Sequence, residues 1–169
     1  MQVELLSKKC KVRKLIEKDI PTIFSLCKEN KIYYDYCPPM VDEQSIKEDM
    51  YALPLNKEIA DKYYVGFFDT EELIAVMDLI KKYPDKDTCF IGFFMVDIKK
   101  QAKGIGSFII QEVCEYIKSL NYKYIKLAWI KGNNQAESFW HKNGFIEIDE
   151  RKDQNNHSVI QAVKYLDIQ

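Results

Sequence analysis

Arginine is scarce in this chain: of 25 basic residues, only Arg13 and Arg151 carry a guanidinium. A phosphate-rich ligand would have to be held mainly by something other than bidentate arginine clamps. An excess of one charge is missing too. The 25 basic and 26 acidic residues leave a formal net charge of −1. That balance lacks the basic stripe expected of a protein on nucleic-acid phosphates, so no nucleic-acid partner is expected. Long apolar runs are absent: the longest, Cys89 to Val96, is eight residues including a glycine. It falls well short of the ~18 needed to cross a bilayer, so it reads as a buried strand, and no membrane partner is expected. Met1 to Lys14 alternates polar and apolar residues and lacks the apolar core of about 7–15 residues that marks a signal peptide. The five cysteines (Cys10, Cys27, Cys37, Cys89, Cys114) are odd in number and never spaced C-x-x-C. His141 and His157 do not cluster with them at metal-ligand spacing. A reduced, cytoplasmic protein without a metal is the expectation.

What is present suits a packed domain. The length of 169 residues fits one domain over 1–169 by the rule of ~100–200 residues per domain. Hydrophobic residues make up 47%, too many for a disordered chain. Aromatics reach 13%, an excess that fits either a thick core or a ligand cleft and does not by itself choose between them.

All five prolines lie at or before Pro84, so the first half is the more punctuated. Lys11 to Leu15 predicts a short strand, followed by a helix from Asp19 with Pro21 in its first turn. The run from Lys31 to Pro39 reads as an aromatic loop. Asp42 to Leu53 predicts a second helix, with an acidic start and a stop at Pro54. Lys62 to Phe68 and Leu73 to Ile80 predict a hairpin around Asp69-Thr70-Glu71-Glu72, and Thr88 to Asp97 a buried strand. From Gly104 to Leu120 the apolar residues recur every three or four positions, one face of a helix. Tyr124 to Ile130 reads as a strand, Asn134 to Lys142 as a helix, and Phe145 to Asp149 and Ser158 to Leu166 as strands. That order suits an α/β (α+β) fold, a mixed sheet with helices on both faces.

The segment Gln101-Ala102-Lys103-Gly104-Ile105-Gly106-Ser107 separates the buried strand from the long helix. Glycines there let backbone approach a ligand, the helix N-terminus offers free N–H groups to an anion, and Lys103 adds a point charge. The spacing is not G-x-x-x-x-G-K-[ST], so a P-loop is excluded. A dinucleotide fingerprint fails as well. Ile109 stands where its third glycine belongs, and the region Tyr122 to Lys126 has no acid. Downstream comes Asn133-Asn134-Gln135-Ala136, then Trp140 and Gly144-Phe145.

Together, in this order, the two segments resemble the GNAT superfamily of N-acetyltransferases. Gln101 to Gly106 matches its Q/R-x-x-G-x-G/A loop, and Asn133, Ala136, Trp140, Gly144 and Phe145 match its later Asn-x-x-Ala, aromatic and Gly-Phe pattern. The resemblance implies a mostly antiparallel sheet of six to seven strands, with one parallel pair splayed around the cofactor. It implies direct acetyl transfer from acetyl-CoA to an amine acceptor, most simply a primary amine. Backbone near Met95 and Val96 would pair with the pantetheine amides as an added strand does. The N–H groups from Ala102 to Ser107 would take the phosphates, and Asn133 would hold the cofactor from the other side.

The sequence departs from the family at Trp140, where many members carry a tyrosine proposed to protonate the leaving thiolate. An indole N–H is not a usable acid, so Trp140 is expected to wall the cofactor tunnel. His141 is expected on the surface. Asp97 is the candidate general base, since it ends the key strand; its ordinary reading is a strand-end or turn residue. Asp78 also sits mid-strand, with a solvated edge as its ordinary reading. On the acceptor side, Tyr33, Tyr34, Asp35 and Tyr36 form an aromatic, acidic set suited to a cationic amine, or simply pack under their loop. An acyl-CoA-binding sensor or partner-binding module is the alternative function, and a homodimer is the default assembly.

Overall fold

The computed structural model describes residues 1–153 and 156–166. Its strands are β1 (Lys11–Lys14), β2 (Lys62–Asp69), β3 (Glu72–Lys81), β4 (Thr88–Val96), β5 (Tyr124–Ile130), β6 (Ile146–Lys152) and β7 (Ser158–Tyr165). They form one seven-stranded sheet in the order β1-β2-β3-β4-β5-β7-β6. Every neighbouring pair is antiparallel except β4 and β5, which run parallel on either side of the crossover helix α4 (Ile105–Ser119).

Helices cover both faces. On one side α4 buries Ile109, Ile110, Val113 and Ile117 against Val65, Phe67, Met77 and Ile125, and Trp140 of α5 (Asn134–Lys142) joins the same core. On the other, α1 (Ile20–Cys27) and α3 (Glu43–Tyr51) bury Ile23, Leu26, Ile46 and Met50 against Tyr64, Val76 and Met95. With both faces covered, β2 and β3 are buried almost end to end, which is why they read as continuous apolar runs instead of alternating ones. The start of α3 is set by its residues: Asp42 accepts from Ser45 N–H at 2.7 Å, and Ser45 Oγ accepts from Asp42 N–H at 3.1 Å.

Three expectations are corrected. The segment from Lys31 is not a loop: residues Lys31–Tyr36 form a short helix, α2. Aromatic residues have modest helix propensity and the run shows no period, so the sequence carries little helical signal. Packing supplies it, because Tyr33 meets Phe93 edge-on at 5.7 Å and Tyr34 at 4.9 Å. The hairpin between β2 and β3 is tighter than expected, with only Thr70 and Glu71 outside the strands and Thr70 at φ 57°. Asp78 does not lie on a solvated edge: β3 is an inner strand, and Asp78 is only 8% exposed.

Candidate active site

The parallel ladder of β4 and β5 is short. It joins Thr88 to Tyr124, Cys89 to Ile125 and Phe90 to Lys126, and stops there. Beyond it β4 stays bonded to β3, and β5 to β7, so the two strands diverge with their facing edges unpaired. Ile91–Val96 and Leu127–Ile130 become opposite walls of a cavity of about 410 Å³. Asp97 N–H donates to Ile74 O across β3, at 2.9 Å. Because backbone polar groups alternate sides along a strand, Met95 also turns its polar groups to β3, while Phe94 and Val96 turn theirs to the cavity.

The Val96 carbonyl is already engaged. It accepts from Gln101 Nε2 at 2.8 Å and from Asn30 Nδ2 at 3.3 Å. Gln101 Nε2 also donates to Asn30 Oδ1 at 2.6 Å, so the loop, the end of α1 and the end of β4 are tied at one point. After Gln101 the chain turns through Ala102 at φ 57° and Gly104 at φ 80°, both left-handed, and enters α4. The first N–H groups of α4 have no intrahelical acceptor and open towards the cavity, where Gly104, Gly106 and Ser107 form the wall. A Cβ on Gly106 would stand 3.1 Å from the Phe139 ring, so glycine there lets α4 and α5 approach. Of the expected loop residues, Lys103 and Ile105 are outside the wall. Lys103 is exposed and folds Nζ back onto Lys99 O at 3.0 Å; Ile105 packs against the core.

Across the cavity, Asn133 caps α5, its Oδ1 accepting from Ala136 N–H at 3.1 Å, which leaves its amide N–H₂ to donate. Trp140 is buried in the wall among Phe94, Phe139 and Phe145, with ring centroids at 6.0, 4.9 and 5.1 Å. His141 is exposed outside the wall, its Nε2 3.1 Å from Glu147. Glu137, His141 and Glu147 thereby bring one ligand-type atom each within 4.8 Å of one another on the surface, a grouping invisible in sequence because a helix and a strand contribute to it.

Part of the cavity wall is aromatic. Tyr33 and Tyr36 line it, together with Cys37 and Phe93. Burial first, and then Cys37, push the Tyr33 phenol above its ordinary range, which keeps it a neutral hydrogen-bonding group. Tyr34 turns inward to Cys27, and Asp35 is exposed outside the wall, so two of the three expected aromatics line the cavity and the acid does not. Asp97 is also outside the wall. Its Oδ1 accepts from Lys99 N–H at 2.8 Å and caps the short 3₁₀ turn Ile98–Lys100. No carboxylate or histidine lines the cavity among the described residues.

Sequence reading missed Asn30, Cys37, Gly92 and Gln135. Asn30 matters through tertiary hydrogen bonds alone, and only the bulge described below gives Gly92 a role. Gln135 Nε2, 3.4 Å from Gln101 Oε1, was detectable as a polar residue beside the Asn133 cap.

The family model of the acetyltransferase (GNAT) family matches residues 27–145. No curated protein matches the chain by sequence. Solved structures that share the fold include an acetyltransferase from Thermus thermophilus, with a TM-score of 0.71 at 14% identity over 93% of this chain and 97% of that one. A spermidine N-acetyltransferase from Vibrio cholerae in complex with CoA and spermine gives 0.69 at 19% identity over 95% and 97%. PaiA N-acetyltransferase from Thermoplasma acidophilum in complex with coenzyme A gives 0.64 at 18% identity over 90% and 97%. With its splayed strand pair, its glycine loop and a family match running from α1 to the start of β6, this chain belongs to the GNAT family of acetyltransferases and is an acyltransferase enzyme.

Proposed function

We propose that the protein is an acetyl-CoA-dependent N-acetyltransferase that moves the acetyl group directly onto a primary amine of a small molecule or peptide, residues 1–169 acting as one domain. One observation carries this reading: a single cavity between β4 and β5 is lined both by the glycine loop at the start of α4 and by Tyr33 and Tyr36. The loop suits phosphates and the tyrosines an organic acceptor.

Acetyl-CoA supplies an activated thioester carbonyl. The N–H groups from Ala102 to Ser107 hold its pyrophosphate, which explains why scarce arginine is no obstacle. Phe94 and Val96 offer backbone N–H groups to the pantetheine arm, with Gln101 and Asn30 occupying the Val96 carbonyl and so setting where that arm begins. Met95 contributes through its side chain under the strand. Asn133 donates from the opposite wall. An N–H at the β4 edge polarises the thioester oxygen as charge develops there. Trp140 closes the tunnel without donating a proton, and a thiol with a pKa of ~8.5 leaves acceptably as thiolate. Asp97 remains a turn residue in this scheme. Tyr33 and Tyr36 face the acceptor, and their rings suit a cationic amine.

A second reading, an acyl-CoA sensor of low turnover, draws on the lack of any carboxylate or histidine on the described cavity wall. One experiment separates the two. Thermal shift with acetyl-CoA, longer acyl-CoAs and NAD(P)H is followed by thiol release across an amine panel. Stabilisation by acetyl-CoA with amine-dependent thiol release supports the enzyme; stabilisation with no release across the panel supports the sensor.

A further inference from the structure

An alkylammonium acceptor, with a pKa of ~10.4, must shed a proton before its nitrogen can attack, and the described cavity wall offers no carboxylate or histidine to take it. A carboxylate stands just behind that wall. β3 and β4 pair Asp78 with Phe93 and Leu79 with Ile91, which leaves Gly92 unpaired in a bulge. Gly92 is exposed and lines the cavity. The three atoms nearest to a Cβ built on it all belong to Asp78: Oδ2 at 2.7 Å, Cγ at 3.4 Å and Cβ at 3.7 Å. Any residue other than glycine would cover that carboxylate.

Asp78 is otherwise enclosed. Its Oδ2 accepts from Lys62 Nζ at 2.7 Å, and its Oδ1 is buried with no hydrogen-bond partner. Lys62 is 5% exposed and makes this an inward-facing ion pair on the α1–α3 side of the sheet. A buried carboxylate oxygen left unsatisfied is costly, and an ion pair here adds less stability than apolar packing of the same volume could. A purely structural account therefore leaves both the orphaned oxygen and the glycine window without a purpose.

We infer that Asp78 is the proton acceptor for the incoming amine, reached from the cavity through the opening that Gly92 leaves in β4. The inference rests on the N-acetyltransferase reading above. The ammonium N–H bond breaks and its proton passes to the Asp78 carboxylate, giving a neutral amine and a carboxylic acid. The amine lone pair then forms the C–N bond, and the C–S bond breaks with its electrons on sulfur. The second N–H proton leaves for the thiolate, and Asp78 returns its own proton to bulk water. The charged and titratable groups around it are Lys62 and Tyr64 of β2, Asp49 of α3 and Cys89 of β4. Burial raises the carboxyl above its ordinary range and Asp49 adds to that, while Lys62 pulls it down and offsets only part of the rise. The result is a stronger base than an exposed aspartate.

The test measures kcat/KM against pH with an accepted amine, and acetyl-CoA affinity separately, for wild type, Asp78→Asn and Lys62→Met. Asp78→Asn should lose about 100-fold or more in kcat/KM and its acidic limb, with acetyl-CoA affinity unchanged. Lys62→Met should move that limb to higher pH, a shift that a structural role alone would not produce, and this second variant serves if Asp78→Asn does not fold. Full turnover in Asp78→Asn with an unmoved profile, or an unmoved limb in Lys62→Met, overturns the inference. Infrared-detected titration of the Asp78 carboxyl in the wild-type CoA complex, with and without an alkylammonium, keeps the two readings apart. A carboxyl band that is missing from Asp78→Asn and whose titration moves to lower pH when the cation is added supports Asp78 even if no amine on the panel is acetylated, because a cation within reach favours the carboxylate. A wild-type titration that the alkylammonium leaves unmoved overturns it, whatever the turnover.

Discussion

Gln101 and Asn30 meet side chain to side chain, Nε2 to Oδ1 at 2.6 Å, and both donate to the Val96 carbonyl. This joint fixes the end of β4 against the break between α1 and α2 and starts the loop that leads into α4. It therefore sets the distance between the glycine loop and the first free strand N–H groups.

Gln101→Ala should remove two hydrogen bonds from that joint. At ~0.5–1.5 kcal/mol each, the loss corresponds to a rise of roughly 5- to 160-fold in the KM for acetyl-CoA. The kcat at saturation should change much less, since Gln101 lies at the cofactor end. Steady-state kinetics with acetyl-CoA varied checks this, and an unchanged KM would contradict the role given to the joint.

The two loop glycines should respond differently to alanine. Gly104 sits at φ 80° with nothing within 4 Å of an added methyl, so Gly104→Ala meets backbone strain alone. That strain is ~1–2 kcal/mol, a fall in Tm of a few degrees for a chain this size. Gly106→Ala places a methyl 3.1 Å from Phe139 and 3.4 Å from Val96. It should push α4 from α5 and lower acetyl-CoA affinity at least as much as it lowers Tm. Melting curves with and without acetyl-CoA distinguish the two effects.

Trp140→Phe should retain most of the turnover, because the indole N–H supplies no proton to the thiolate. A general acid at this position would be worth ~10²–10⁴-fold, and a drop of that size would show that Trp140 does chemistry after all. Trp140→Ala is a different experiment. It empties a packed aromatic site in the main core and should cost ~3–5 kcal/mol of stability.

Lys62→Met should make stability depend more steeply on pH. The native Asp78 carboxyl is already raised by burial, so the fold binds its proton more readily than the unfolded chain does. Such a group favours the fold most below the ordinary carboxylate pKa of ~3.9 and disfavours it progressively as pH rises through the native value. Removing Lys62 raises that native value further and strands a buried charge, a cost of ~3–5 kcal/mol at neutral pH. Chemical denaturation between about pH 4 and about pH 8 should show the variant losing ground to wild type as pH rises.

Much of this was legible in the residues alone. Period-three and period-four apolar spacing located α4, alternating or continuous apolar runs located the strands, and Asn133 with its following residues located α5 almost to the residue. Gly104 and Gly106 marked the loop because left-handed turns and close helix contacts call for glycine. These features depend on neighbours a few positions apart, which sequence displays directly. Other features do not. The helix at Lys31–Tyr36 exists because Tyr33 packs on Phe93, a partner far along the chain.

Sequence by itself thus determined the fold class, the order of elements and the glycine loop, because local periodicity and backbone requirements are written in consecutive residues. Tertiary structure alone decided which polar groups face the cavity. It turned Tyr33 inward and left Asp35 outside, gave Asp97 to a turn, and tied Gln101 to Asn30. It also buried Asp78 behind Gly92, since a strand register and its bulge bring together residues that no spacing rule connects.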